Sequence, residues 1–241
     1  MQKLRPKEIE NITLKKYEIF LFDADGTLFD YDKAETNALK TMFAAYKLNY
    51  TESIRLKYRE LNAQAWKSYE QGEITKAELQ TLRFCRLFDY VGVKQDEEIF
   101  NEKYLHELGK GAFLINGALE ICKDIVSHGK KIYLATNGIL ATQKSRLKHS
   151  AIKDYISGFF VSEEIGFQKP HPSYFKHVFA HIPPIDKSKI LMIGDSLSTD
   201  IVGGNAAEID TCWLNIHKEP NTTNITPTYE IPKLSELSRF I

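Results

Sequence analysis

The sequence predicts an α/β fold, a doubly wound parallel sheet interrupted by an all-helical insert. Three observations carry this expectation. From residue 118 onward, short apolar runs of strand length alternate with helical patterns. One further run of the same kind stands alone near the amino terminus. Between them, residues 33–109 keep helical spacing and contain no convincing strand.

The elements follow in order. "YEIFLF" (17–22) is short, aromatic and β-branched, which suits a strand buried on both faces. In the insert, Ala38, Met42 and Tyr46 share one helical face, as do Leu39 and Phe43. Ile54, Tyr58, Leu61 and Ala65 repeat the pattern, and Thr75-Lys76-Ala77-Glu78 reads as a capping box. A helix over Ala118–His128 is stopped by Gly129. The strand "KIYLATNG" (131–138) and a helix over Thr142–His149 come next. "GFFVSEE" (158–164) reads as a strand, and the following helix opens at Pro172, whose fixed φ suits a first helical position. "KILMIGDS" (189–196) is a strand, Ser198 caps a helix, and "DTCWLNI" (210–216) is the last strand. The tail after Pro220 reads as a loop ending in a short terminal element.

The bulk numbers narrow the classes. In 241 residues, 43% are apolar, enough for a core in one large domain or two small ones. Lys plus Arg equals Asp plus Glu at 32 each, so nothing in the charge balance draws a polymeric nucleic acid or a membrane. Cys85, Cys122 and Cys212 lie far apart without metal-site spacing, as expected of reduced core thiols in a cytoplasmic protein. The charged start lacks the apolar stretch of a secretory leader. The sequon at Asn221-Thr222-Thr223 is therefore incidental.

Polar residues gather where the strands end. In an open parallel sheet, ligands bind at the carboxyl edge. There the first strand gives Asp23-Ala24-Asp25-Gly26-Thr27, and the second gives Thr136-Asn137-Gly138. The fourth gives Gly194-Asp195-Ser196 with Asp200 beyond, and Lys169-Pro170 follows the third. Asp23 does not open a calcium loop of the EF-hand type, because glycine falls at the wrong position and a strand precedes it. A plain surface turn would explain the Asp-Gly pair alone, but not the other three strand ends. Ionised Asp23, Asp195 and Asp200 beside a phosphate dianion would far outweigh Lys169 alone. A divalent cation narrows that deficit, and ligands made only of oxygen favour Mg2+ over zinc.

"DADGT" (23–27), "TNG" (136–138), "KP" (169–170) and "GDSLSTD" (194–200) resemble, in order and spacing, the four motifs of the haloacid dehalogenase superfamily. The match spans residues 17–216. The resemblance implies a Rossmann-like core of residues 1–32 and 110–241, with residues 33–109 as an inserted helical cap. The stretch 136–175 further resembles the pyrimidine 5′-nucleotidase-like branch, through TNG, Gln143, Arg146-Leu147, Ser162-Glu163 and Lys169-Pro170.

The resemblance implies a Mg2+-dependent phosphatase acting on a small phosphorylated metabolite, foremost a nucleoside 5′-monophosphate. Asp23 is then the nucleophile that becomes an aspartyl phosphate. Asp25 is the acid and base, a role that needs it protonated at the start. Asp23, the Asp25 carbonyl and Asp195 are expected to hold Mg2+. Thr136, Asn137 and Gly138 are expected to bind the phosphoryl oxygens, Lys169 to neutralise them, and Asp200 to orient Lys169 or a metal-bound water. Asp25 separates the chemistries, because an alkoxide leaving group needs a proton and a halide does not. A sugar phosphomutase or sugar-phosphate phosphatase is the first alternative. A binding module without activity has no need of all these groups together.

Several other residues read as structural. His177 and His181 share a helical face without the glutamate of a zinc motif. Residues 56–71 mix both charge signs, as a solvated helix face does. Tyr50, Trp66, Tyr69, Phe84 and Phe88 are expected mainly in the core of the insert, although an aromatic ring can stack on a base. Asp30 and Asp32 are expected in the passage into the insert, with hinges near residues 31–33 and 109–111.

Overall fold

The computed structural model describes residues 16–241, so most of the charged start lies outside the described residues. These residues fall into two compact units. The first takes the described residues up to Phe29, with Leu114–Leu140 and Ala151–Ile241. The second takes Asp30–Phe113 and Ala141–Ser150.

The first unit is built on six parallel strands, β1 (Ile19–Phe22), β2 (Lys131–Thr136), β3 (Ile156–Val161), β4 (Ile190–Gly194), β5 (Asp210–Leu214) and β6 (Tyr229–Ile231). Their order is β3-β2-β1-β4-β5-β6, so the first strand in sequence lies inside the sheet. All four residues of β1 are buried, which explains its apolar run without alternation. Phe22 stands opposite Leu134 of β2 and Ile193 of β4. Asp23 and the Gly194-Asp195 step therefore leave the sheet at one level.

The helices of this unit are α5 (Ala118–Ser127), the first residue of α6 (Leu140–His149), α7 (Ser162–Ile165), α8 (Pro172–Ala180) and α9 (Val202–Ala206). Tyr174, Phe175 and Val178 of α8 pack with Ile19, Leu21, Tyr133 and Met192 of the sheet. Each such burial contributes about 1.5–3 kcal/mol relative to exposure. Gly129, at φ 74°, follows α5 in the left-handed conformation that ends a helix.

The second unit contains α1 (Tyr31–Ala45), α2 (Glu52–Glu70), α3 (Lys76–Val91) and α4 (Glu97–Lys110), with most of α6. Side-chain caps start each of the four: Asp30, Thr51, Thr75 in its capping box with Glu78, and Asp96. Phe43, Tyr58, Phe84, Phe88, Phe100 and Tyr104 form an aromatic core with repeated edge-to-face contacts. Fully buried Arg83 donates within it to Asn62 Oδ1 and Asn101 Oδ1 at 2.9 Å each. Asn62 in turn donates to Glu35 Oε2 at 3.2 Å.

Four expectations need correction. Cys85, read as a core thiol, is exposed, whereas Cys122 and Cys212 are buried. The tail after Pro220 contains a further strand, β6, whose three residues pair with β5 and are too few to show a period. The run 158–164 is a strand only to Val161, because Ser162–Ile165 turns into α7. The cap after β4 is Ser196 rather than Ser198. Its hydroxyl accepts from Thr199 N at 3.3 Å, and a π turn over Leu197–Ile201 precedes α9. Among the described residues, no helix is long and apolar enough to cross a membrane.

Candidate active site

The carboxyl edge of the sheet collects the polar residues of the first unit. Asp23 follows β1 directly, and its main-chain N–H donates to Ile193 O at 2.8 Å, extending the pairing with β4 by one residue. A tight turn comes next, in which Leu28 N and Phe29 N both donate to Ala24 O and Gly26 N donates to Phe29 O. Gly26 adopts φ 80°, and a side chain there would also run into the Asp195 carboxylate. Asp25 occupies this turn and is half-buried.

Lys169 lies at the centre of the group. It is 1% exposed, and its ammonium donates to Asp23 Oδ1 at 2.6 Å, Asp200 Oδ1 at 2.7 Å and Ala135 O at 2.6 Å. Three donors meet three acceptors, which is the condition for burying a lysine charge. Burial alone would push the ammonium toward its neutral form. The charges of Asp200 and Asp23 outweigh that and hold its pKa above the ordinary value.

The acids divide by their partners. Asp200, 1% exposed, spends one oxygen on Lys169 and accepts from Ser196 N on the other at 3.2 Å. Asp23 is buried, and desolvation pushes its pKa well above the carboxylate range. Lys169 opposes that rise, while Asp200 and Asp195 add repulsion. Desolvation and then repulsion from Asp200 push Asp195 up to about 7. Because Asp195 keeps an exposed surface, water screens the desolvation, and the crowding of carboxylates carries more weight. Trp213 Nε1 donates to Asp195 O at 2.8 Å and fixes this residue's main chain.

A cation of the expected kind fits this set. Asp23, Asp195 and Asp200 each offer a carboxylate oxygen, and these oxygens lie within 4.8 Å of one another. All are hard oxygen donors suited to Mg2+. Asp200 is already engaged on both oxygens, which leaves Asp23 and Asp195 as the pair better disposed to a cation.

Thr136 ends β2 and is 2% exposed, and its hydroxyl accepts from Gly138 N at 3.0 Å. Asn137 turns its carboxamide toward the main chain of Lys169, taking a hydrogen bond from Lys169 N at 2.8 Å and giving one to Lys169 O at 2.9 Å. Leu140 N, at the start of α6, donates to Glu163 Oε2 at 3.2 Å. Asp23, Lys169, Asp195 and Asp200 are thus together, with Thr136, Asn137 and Gly138 on the neighbouring strand end.

Sequence reasoning missed two residues, Ala135 and Trp213, and one contact of a residue it did name. Ala135 acts through its carbonyl, and the Asn137 carboxamide holds main chain; neither has a residue-type signal. Trp213 reads as strand core, although a buried indole N–H does call for an acceptor.

The other residues singled out have ordinary surroundings. His181 Nδ1 lies 2.8 Å from His177 O, with the two rings stacked. Asp30 caps α1, accepting from Lys33 N at 2.9 Å, and Asp32 pairs with Arg59 at 3.0 Å. Phe84 and Phe88 are buried, and Trp66 and Tyr69 contact each other edge to face.

Known proteins resemble this chain over most of its length. The family model for haloacid dehalogenase-like hydrolases matches residues 17–208. YfnB of Bacillus subtilis, which carries only a family-level name as a HAD-hydrolase, is 38% identical over 93% of this chain and 95% of its own. Its crystal structure, described as bound to magnesium and revealing interdomain movement, superposes with a TM-score of 0.88 over 92% of this chain and 97% of that one. The pyrimidine 5′-nucleotidase PynA of Streptococcus pneumoniae is 36% identical over 92% of this chain and 93% of its own. For the pyrimidine 5′-nucleotidase YjjG of Escherichia coli, the identity is 32% over 94% and 98%.

Proposed function

The chain belongs to the haloacid dehalogenase-like hydrolase family, and from that premise we propose that it is a Mg2+-dependent phosphomonoesterase that cleaves nucleoside 5′-monophosphates. The observation that carries this reading is the buried Lys169 ammonium between Asp23 and Asp200, with an Asp195 oxygen in reach of both acids.

Asp23 attacks phosphorus, and the ester oxygen leaves as the new P–O bond to the Asp23 carboxylate forms. Asp25, on the turn beyond β1, gives its proton to that leaving oxygen. It then takes a proton from the water that hydrolyses the aspartyl phosphate and regenerates Asp23. Lys169 neutralises the nucleophile and the transferring group, and Asp200 holds Lys169 in place. The Thr136 hydroxyl, held by the Gly138 N–H, takes the phosphoryl oxygens together with the N–H groups of Asn137 and of the residues after Asp23. Asp23, the Asp25 carbonyl and Asp195 would hold Mg2+, which lowers the repulsion between carboxylate and phosphate when bound.

The same reading gives residues 1–32 and 110–241 the catalytic role and residues 33–109 that of a cap, in a cytoplasmic enzyme with three free cysteines. The two pyrimidine 5′-nucleotidases among its relatives favour pyrimidine nucleotides as substrates. Phosphate release should be measured across pyrimidine and purine nucleoside 5′-monophosphates and a set of sugar phosphates. A preference for the pyrimidine nucleotides is expected. Turnover of sugar phosphates alone would overturn the nucleotidase reading, and a need for a bisphosphate activator would point to a mutase.

A further inference from the structure

We infer that the Asn137 carboxamide is a positioning residue for Lys169, acting as a clamp on that residue's main chain. This rests on the catalytic role given to Lys169 above. The loop from Gly166 to His171 joins α7 to α8 and has little regular main-chain pairing of its own, the turn from His171 N to Gln168 O being its short internal bond. Lys169 sits inside this loop, and the next residue, Pro170, has no N–H to contribute. The lysine side chain has nevertheless to end within hydrogen-bond distance of two carboxylates and a carbonyl at once.

The end of β2 solves this at two levels. Ala135 O takes the ammonium, and two residues later the Asn137 side chain brackets the lysine's own N–H and C=O. A carboxamide is the one short side chain that carries an acceptor and a donor side by side, which is what a neighbouring N–H and C=O require. An aspartate would keep the acceptor for Lys169 N but turn its second oxygen on Lys169 O. It would also add another acid to a crowded cluster. An alanine would leave both main-chain groups without this partner.

The test is a double-mutant cycle of Asn137→Ala, Lys169→Met and both together, with Asn137→Asp as the isosteric variant. Turnover is followed on a nucleoside monophosphate and on p-nitrophenyl phosphate, and folding by circular dichroism. The N137A variant should lower kcat by about ten- to a hundredfold, as loss of an orienting partner does elsewhere. N137D should lose at least as much. In the K169M background, N137A should cost less than about twofold more, because the residue acts through the lysine.

A second readout does not depend on turnover. Trace acetylation with mass spectrometry should label Lys169 little in the wild type and several-fold more in N137A, against exposed Lys131 as internal standard. Effects that multiply in the double variant, an N137D enzyme as fast as wild type, or unchanged labelling of Lys169 would each overturn the clamp. Undiminished activity of K169M alone would instead overturn the proposed function.

Discussion

Asp25 carries the distinction between cleaving an ester and displacing a better leaving group. An alkoxide leaves poorly without a proton, whereas the carboxylate released from an acyl phosphate does not need one. The Asp25→Ala variant should therefore lose about 10²–10⁴-fold in kcat on a nucleoside monophosphate and far less on acetyl phosphate. Phosphate release from both substrates measures this, and equal losses would remove the acid from the account. At this scale, the acids and the lysine were legible because charged residues at the ends of buried strands are costly unless they act together. The Asn137 clamp was not, because its partner is main chain 32 residues away.

The short elements that hold these residues are open to test one by one. Gly194 ends β4 where a methyl group would run into the Asp200 carboxylate. Gly194→Ala should push Asp200 away from Lys169 and Ser196 N and cost about 10–100-fold in kcat, with the sheet still folded by circular dichroism.

Helix α1 gives a different prediction. Glu35 on this helix is 2% exposed, and burial pushes its pKa from 4.5 up to about 7. Tyr31, Arg59 and Arg83 pull it down, and Asp32 pushes it up. Between about 4.5 and about 7 the folded state then binds more protons than the unfolded one at this residue. Its contribution to stability therefore falls as pH rises through that window, by about 3 kcal/mol at most. Denaturant melts across the window should show this decline in the wild type and a flatter profile in Glu35→Gln. An identical slope in both would contradict it.

The long helices and the strands β1 to β5 were legible from apolar runs and caps. The three residues of β6 and the π turn after Ser196 were not, because neither spans enough residues to show a period.

For the molecule as a whole, the parallel sheet order makes chemistry and sequence order agree. Segments separated by more than a hundred residues meet because β1, β2 and β4 are neighbours that end at one edge. That much follows from alternating strands and helices. The preference for one phosphate ester over another does not, since it depends on shapes and contacts that no residue pattern encodes. The central claim is that Asp23 does the chemistry with a divalent cation beside it. It is tested most directly by phosphate release from uridine 5′-monophosphate, comparing wild type with Asp23→Asn, each with Mg2+ and after EDTA. The account predicts release only from wild type with Mg2+; undiminished release from Asp23→Asn, or from the chelated wild type, would contradict it.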